Sequence, residues 1–240
     1  MMESINIGQK GFSLIELMVA MAAASILMAG IYSFYQSQLK SHVTLQELVD
    51  MQQDARLGMY MMTRDIQMAG YDPQNTGATI RIANAGEIAF DSDLNFDGVI
   101  DADAERFYFA LSNDADPRDG IADGTPCNLE RGSWDNLLNP VGLNAVALNI
   151  DALNFVYLDS AGTVLDDDGN GNVTANMAAI RSIQITLVAR SGDQLPVLMN
   201  RQTDSMIYTT QVGDELLGAQ NDNFRRIRLT STVKVRNMGL

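Results

Sequence analysis

KGFSLIELMVAMAAASILMAGIYSFY, residues 10–35, is the stretch whose reading decides the fold. From Leu17 to Tyr32 it holds no charge and no proline, and the apolar run from Phe12 to Tyr35 is 24 residues long. At about 1.5 Å per residue, such a helix crosses a hydrocarbon core of about 30 Å. One acid interrupts it: Glu16, four residues after Phe12. A lone carboxylate inside a membrane span is costly, so its presence asks for a partner. A removable secretory signal is the first competitor. Its apolar core is shorter, about 7–15 residues, and ends at small residues of the A-x-A kind. Here the polar leader MMESINIGQK is short, and the sequence after Tyr35 continues as helix without such a site. The segment reads as a retained anchor.

The residues at its start carry a resemblance. Lys10 followed by Gly11-Phe12-Ser13-Leu14-Ile15-Glu16 resembles the type IV prepilin signal. The resemblance implies cleavage between Gly11 and Phe12 by a prepilin peptidase on the cytoplasmic side. It implies N-methylation of the new terminal residue, Phe12, and makes Glu16 the fifth residue of the mature chain. It also gives Glu16 a partner. Cleavage creates an amine on Phe12, and the carboxylate can pair with that amine in its own chain or in a neighbouring subunit. An ion pair in low dielectric costs far less than a lone charge, and losing one member is strongly destabilising.

Past Tyr35 the chain turns polar without breaking, and no proline occurs before Pro73. Leu45, Leu48, Gln52, Ala55, Met59, Met62, Ile66 and Ala69 recur at alternating spacings of 3 and 4, which makes one stripe on a helix. Gly70 and then Pro73 supply the stop. A single helix from Phe12 to Ala69 would hold 58 residues and span roughly 85–90 Å. Core packing against a sheet is the reading of the stripe; it lacks the Leu and Ile richness of a strong coiled coil. His42, the sole histidine, lies on this helix without partners that would make a metal or triad argument.

From Tyr71 onward the pattern changes to short strands, read at 78–83, 86–91, 105–111, 151–158, 180–190 and 225–236. Ile183, Ile185 and Leu187 alternate with Ser182, Gln184 and Thr186; Ile227, Leu229, Val233 and Val235 alternate with polar neighbours. One buried and one wet face are what an antiparallel sheet shows. The fold class expected is therefore α+β. A long N-terminal helix, membrane-spanning in its first half and amphipathic in its second, packs on an antiparallel β-rich globular domain. The divisions are a leader at 1–11, a span at 12–35, an amphipathic helix at 36–70 and a globular domain at 71–240. The segments MTRDIQMAGYDP (62–73), IDALNFVYLDSAG (150–162), IRSIQITLVAR (180–190) and DNFRRIRLTSTVKVRNMGL (222–240) resemble the PilW family of minor pilins. The J-type pseudopilins of type II secretion share the general plan and are the alternative. The resemblance implies partners among other major and minor pilins, a place at or near a filament tip, and help in starting assembly. It implies residence in the inner membrane before assembly and in an extracellular pilus afterwards, with the globular domain on the outer side.

The net charge of −14 argues against a general nucleic-acid binder, which needs a basic footprint. Residues 91–123 hold nine Asp and one Glu against two Arg. Within DSDLNFDGVIDADAE (91–105), Asp93, Asn95, Asp97, Gly98, Val99 and Asp101 fall on positions 1, 3, 5, 6, 7 and 9 of an EF-hand-like loop. Oxygen donors at alternate positions converge on one cation, and glycine permits the turn. Position 12 is Ala104 where a bidentate Glu belongs, with Asp103 and Glu105 beside it. Calcium is thus a possible ligand of this loop, set against a solvated turn in which Asp, Asn and Gly are ordinary. Asp114, Asp116, Asp119 and Asp123 form a weaker candidate because Pro117 and an extra residue spoil the spacing. DDDGNGN (166–172) reads better as a hairpin turn than as a metal loop. The five Lys and Arg of 225–236, Arg226 and Arg228 among them, suggest either a solvated strand or a face meeting an acidic loop of a neighbour. A membrane-anchored, calcium-binding adhesive module is the reading from another class.

No G-x-S-x-G, H-E-x-x-H, C-x-x-C or P-loop occurs, and one His and one Cys leave little for acid–base or nucleophilic catalysis. The sequence reads as that of a non-enzyme. Cys127 has no intrachain disulfide partner and reads as a free structural thiol.

Overall fold

The computed structural model describes residues 11–102, 104–115, 119–124, 127–192 and 203–238. These divide after Gln46 into two compact units. One helix, α1 (Leu14–Ile66, 53 residues), contributes to both. It is long and apolar enough near its start to cross a membrane. Every residue from Gly11 to Tyr35 is exposed. Gly30 sits within the helix and does not break it.

In the second unit, α1 buries Met51, Ala55, Gly58, Met62, Asp65 and Ile66, and Ala69 follows just past its end. The stripe read from the sequence holds at Ala55, Met62, Ile66 and Ala69. Its earlier part is corrected: Gln52 is exposed, Met51 takes the inward position, and Leu45, in the first unit, is 63% exposed. The reason lies at Gly58. A Cβ placed there would come within 2.9 Å of both the Ala147 Cβ and the Leu129 Cδ2. The helix backbone lies directly on the sheet at a residue with no side chain, so hydrophobic periodicity misses the centre of the buried face.

The end of α1 is capped by several groups. Gly70 adopts φ +71° and donates its N–H to the Asp91 carbonyl (3.0 Å). Just past the helix, the Met68 carbonyl accepts both the Ser92 hydroxyl (2.7 Å) and the Tyr71 N–H (3.0 Å). Regular helix therefore stops at Ile66, three residues before the expected Ala69, and the chain turns through 67–70. Asp65 is buried and anchors the last turn to the sheet by accepting from Arg131 Nε at 2.7 Å.

Eleven strands are present among the described residues: β1 (Ile80–Ala83), β2 (Ile88–Asp91), β3 (Arg106–Leu111), β4 (Leu129–Trp134), β5 (Pro140–Ala147), β6 (Ile150–Leu158), β7 (Val164–Leu165), β8 (Ser182–Arg190), β9 (Tyr208–Thr209), β10 (Glu215–Leu217) and β11 (Arg226–Lys234). β1 to β5 form one five-stranded antiparallel meander, and β11-β8-β6-β7 form a four-stranded antiparallel sheet beside a β9–β10 pair. The α+β expectation is met, and the six expected strands correspond to β1, β2, β3, β6, β8 and β11. One core joins the helix residues to Phe90, Phe107 and Phe109 of the first sheet and to Leu153, Phe155, Ile183, Ile185 and Leu187 of the second. The period-2 pattern of β8 holds only at its start: Ile183, Ile185 and Leu187 are fully buried, but Thr186, expected on the wet face, is buried as well, as is Val188.

Two expectations about surfaces are corrected. The stretch 166–172 is no hairpin turn. β7 pairs with β6, and 166–172 leads from β7 to a 3-10 turn at Met177–Ala179. Nor is Arg226 part of a free basic face. Its side chain is 2% exposed, with Nε 2.6 Å from Asp151 and a terminal nitrogen 2.7 Å from Asp222 and 3.1 Å from Asp204. Arg190 lies 3.2 Å from the other Asp151 oxygen, an ion pair by distance that lacks hydrogen-bond angles. Arg228 donates to the Thr209 carbonyl and hydroxyl, both at 2.8 Å. The chain's own acids and carbonyls take these cations at the start of β11.

Gly58→Val is expected to cost about 2–3 kcal/mol through overpacking against Ala147 and Leu129. Arg226→Ala is expected to cost about 3–5 kcal/mol, because it leaves buried carboxylates unpaired. Chemical unfolding of the full chain in detergent, compared with the parent, reads both.

Candidate processing and assembly site

Gly11, Phe12 and Ser13 precede the first helical residue, so the Gly11–Phe12 peptide bond lies outside the helix. Among the described residues nothing approaches within 4 Å of where a Gly11 Cβ would sit, and Phe12 is 86% exposed. A peptidase must bind its peptide in extended form, and this junction offers accessible, non-helical backbone.

Ser13 starts the helix. Its hydroxyl accepts the Ile15 N–H (3.2 Å), and its carbonyl accepts the N–H groups of Glu16 (3.1 Å) and Leu17 (3.2 Å). That is N-cap behaviour, which satisfies donors the first turn cannot pair internally. The expected start at Phe12 thus moves to Leu14. Ser13-Leu14-Ile15-Glu16 also has the S-x-x-E spacing of a capping box. This signal was present in the sequence, and the reading that gave Glu16 only to an amine passed over it. Glu16 stands in the first turn, where the positive end of the helix dipole favours an acid. It is exposed, and no described residue pairs with its carboxylate. Lys40 is the next charged residue along the chain, so Glu16 is the single charge on the surface from Gly11 to Leu39.

The leader residues 1–10 and the candidate ligands Asp103 and Asp116 lie outside the described residues, as does Pro117. The remaining acidic residues divide into two groups. Around the first loop, Glu105 is buried and accepts three backbone N–H groups: Leu94 (2.6 Å) and Asn95 (2.9 Å) at one oxygen, Asp101 (3.0 Å) at the other. Asp93 is buried and accepts the Phe96 N–H (2.8 Å). The Asn95 amide donates toward Asp97 (3.0 Å) and Asp101 (3.5 Å), and the Val99 N–H donates to Asp97 (2.8 Å). The structure therefore gathers Asp93, Asn95, Asp97, Asp101 and Glu105 about one turn, with Gly98 at φ +79°.

The second group closes its own loops. Asp114 accepts the Gly120 N–H (2.9 Å), Asp119 that of Ile121 (2.8 Å) and Asp123 that of Ala115 (2.8 Å). Farther on, the N–H groups of Ala175 and Thr174 hold the Asp167 carboxyl below the usual carboxylate range. Among the described residues, no three His, Cys, Asp or Glu side chains are grouped so that they could hold a metal ion. Cys127 is buried, and burial pushes its thiol up, which leaves it protonated and poorly nucleophilic. His42 is exposed on α1.

Comparisons with known proteins fall on the same two parts of the chain. A family model described as Prokaryotic N-terminal methylation motif matches residues 7–32, and one described as Prepilin peptidase-dependent protein B matches residues 44–209. Neither description is PilW. A curated relative, Prepilin peptidase-dependent protein B of Escherichia coli (strain K12), is 26% identical over 160 residues, which cover 64% of this chain and 81% of that protein. A solved type IV-like pilin from Thermus thermophilus aligns at 15% identity with a TM-score of 0.49, over 78% of this chain and 97% of its own.

Ser13→Ala removes the cap and is expected to loosen the first turn by about 1 kcal/mol, roughly a fivefold faster amide exchange at Ile15 to Leu17. Ser13→Asp is expected to preserve protection. Hydrogen exchange of the micelle-bound chain by NMR measures both.

Proposed function

Because the chain belongs to the prepilin peptidase-dependent protein B family and carries the prepilin methylation motif, we propose that it is a minor pilin of a type IV pilus. It is held in the inner membrane by the first part of α1, cut by prepilin peptidase between Gly11 and Phe12, methylated on Phe12, and then passed into a filament. There it acts as a structural subunit among major and minor pilins rather than as an enzyme. On the minor-pilin resemblance, that role extends to starting the filament and to a place at its tip.

One observation carries the reading. From Gly11 to Tyr35 the described chain exposes an apolar surface bearing a single charge, and that charge stands one helical turn from the residue whose amine cleavage would free. Lipid can cover such a surface, and so can other helices of the same kind, where small residues such as Ala22, Ala23, Ala24 and Ser25 allow close approach. In a helical bundle the Glu16 carboxylate meets the Phe12 amine of a neighbour, and two charges that would each be costly alone offset one another.

In cells with an active prepilin peptidase, the intact mass of the assembled protein should begin at Phe12 and carry one methyl group; without the peptidase, residues 1–11 should remain. Filament-associated protein that still carries Met1 would overturn the proposal. Glu16→Gln should leave cleavage intact and abolish incorporation, read by shearing filaments from a complemented deletion strain. Incorporation at the parental level would remove the pairing role.

A further inference from the structure

The four-stranded sheet carries a buried amide without a partner. Along β6, Leu153, Phe155 and Tyr157 point into the main core, so Ala152, Asn154 and Val156 face the other side of the sheet. Ala152 packs there with Tyr208, Leu216 and Leu217 of the β9–β10 pair. Asn154, two residues on, is 9% exposed, and its Oδ1 is enclosed and receives no hydrogen bond. Its cross-strand partner on β8 is Thr186. Diagonal to it on the same face, the Oε1 of Gln184 is also enclosed and receives none. Two amide oxygens on one face thus lack donors. Buried acceptors left unpaired are costly and call for a specific explanation.

Asn154 lines a cleft of about 330 Å³ on that face. Its floor is β6, and its walls are the turn between β9 and β10, the end of β7 with residues 166–171, and residues 119–121. Val156, Val164 and Val212 give it apolar surface. Asp119, Asp166, Asp214 and Glu215, all exposed, give it negative charge. No Lys or Arg is among the described residues that line it. The complement of such a cleft is a cation rich in N–H donors. No three of the acids are grouped so that they could hold a metal ion, which leaves an organic cation. A Lys or Arg side chain has the matching make-up, with methylenes for the apolar wall and a donor-rich head for the oxygens. The volume stands at the lower end of the range for ligand pockets, about 300–1,000 Å³, and suits one long side chain. The chain's net charge of −14 draws a basic partner toward it.

We infer that this cleft docks an Arg or Lys side chain carried on a basic segment of another protein chain. The stem of that side chain lies along Val156 and Val212, and its head is held by the acids at the rim. Asn154 is the acceptor at the floor that an N–H donor satisfies. No donor holds its oxygen in place, and the terminal torsion of Asn is soft, so the amide can turn toward an arriving head group. The contact then made is a charge-assisted hydrogen bond in a site largely shielded from water, stronger than a neutral one. The inference stands apart from the pilin role, because the cleft belongs to the globular domain and its occupancy is read on the chain alone.

The test is NMR titration of the full, ¹⁵N-labelled chain in detergent micelles with the peptides Ac-Gly-Arg-Gly-NH₂ and Ac-Gly-Lys-Gly-NH₂. Ac-Gly-Glu-Gly-NH₂ is the charge control, and putrescine is the free amine. Saturable shifts at Asn154, Val212 and Leu216 are expected with a basic peptide, at a dissociation constant of about 1 mM, and none with the Glu peptide. The double variant Asp214→Asn, Glu215→Gln changes only exposed side chains. It should weaken binding about fivefold or more and melt like the parent. Asn154→Ala should weaken binding about tenfold, the loss of a hydrogen bond to a charged group. Absence of shifts up to about 20 mM basic peptide, twenty times the expected constant, would overturn the inference. Parental affinity in the double variant, shifts confined to residues 93–105, or equal binding of the Glu peptide would do so equally. Putrescine bound more tightly than either basic peptide would overturn the assignment to a protein partner.

Discussion

The close approach of α1 to the sheet at Gly58 is the constraint on which the second unit depends. Ala147 and Leu129 occupy the space where any side chain at that position would go. Once the backbone lies this near, Ala55 on one side and Met62 on the other are forced inward, and the phenylalanines of β2 and β3 complete the same core. Asp65 then falls within reach of Arg131 on β4, and a charge on the inner face of a helix becomes a tether rather than a defect. The end of the helix is fixed in turn by the residues that leave β2. One small residue thus sets the depth of the helix, the depth sets the register of its polar contacts, and those contacts position the turn at 91–93 beneath the acidic loop.

The first unit obeys a different solvent. Between Gly11 and Tyr35 no side chain is buried, and large apolar groups face outward all round the helix. A helix that is apolar on every side requires an apolar surrounding. What water cannot supply, lipid or like helices can, and only a surface without directional demands can exchange one for the other. Glu16 is the exception that gives direction. At the helix N-terminus it is partly stabilised by the backbone dipole, which lowers the cost of a charge at that position.

Much of this was legible in the sequence, and the failures have identifiable causes. The long helix, the six strands found, and the prepilin motif rest on strong local signals: an unbroken apolar run, period-2 alternation at Ile183, Ile185 and Leu187, and a tightly spaced cleavage motif. β4 and β5 were not read, because LERGSW and PVGLNAVA carry a glycine each, a proline and exposed positions instead of alternation. β9 and β10 span two and three residues, too short for any period. The centre of the helix face was missed because glycine has no hydrophobicity to register. Arg226 was misplaced on a wet face because its partners, Asp151, Asp204 and Asp222, are distant in sequence or separated by a strand boundary. In the acidic loop the spacing marks residues that share one turn, but it does not separate Glu105, which holds the loop together, from Asp97 and Asp101, which face outward.

The distribution of satisfied and unsatisfied acids sorts structure from function in this chain. Asp65, Asp151, Asp222 and Glu105 are all met by Arg or by backbone N–H groups, and each ties two segments together. Their charge is spent inside the fold, so none is free to act on anything else. Glu16 and the Oδ2 of Asp93 are the contrast. One lies on an apolar helix surface with no described partner, the other is enclosed and receives no hydrogen bond. At Asp93 the enclosed oxygen carries a desolvation cost that no hydrogen bond offsets, whereas Glu16 is exposed and gains from the helix dipole.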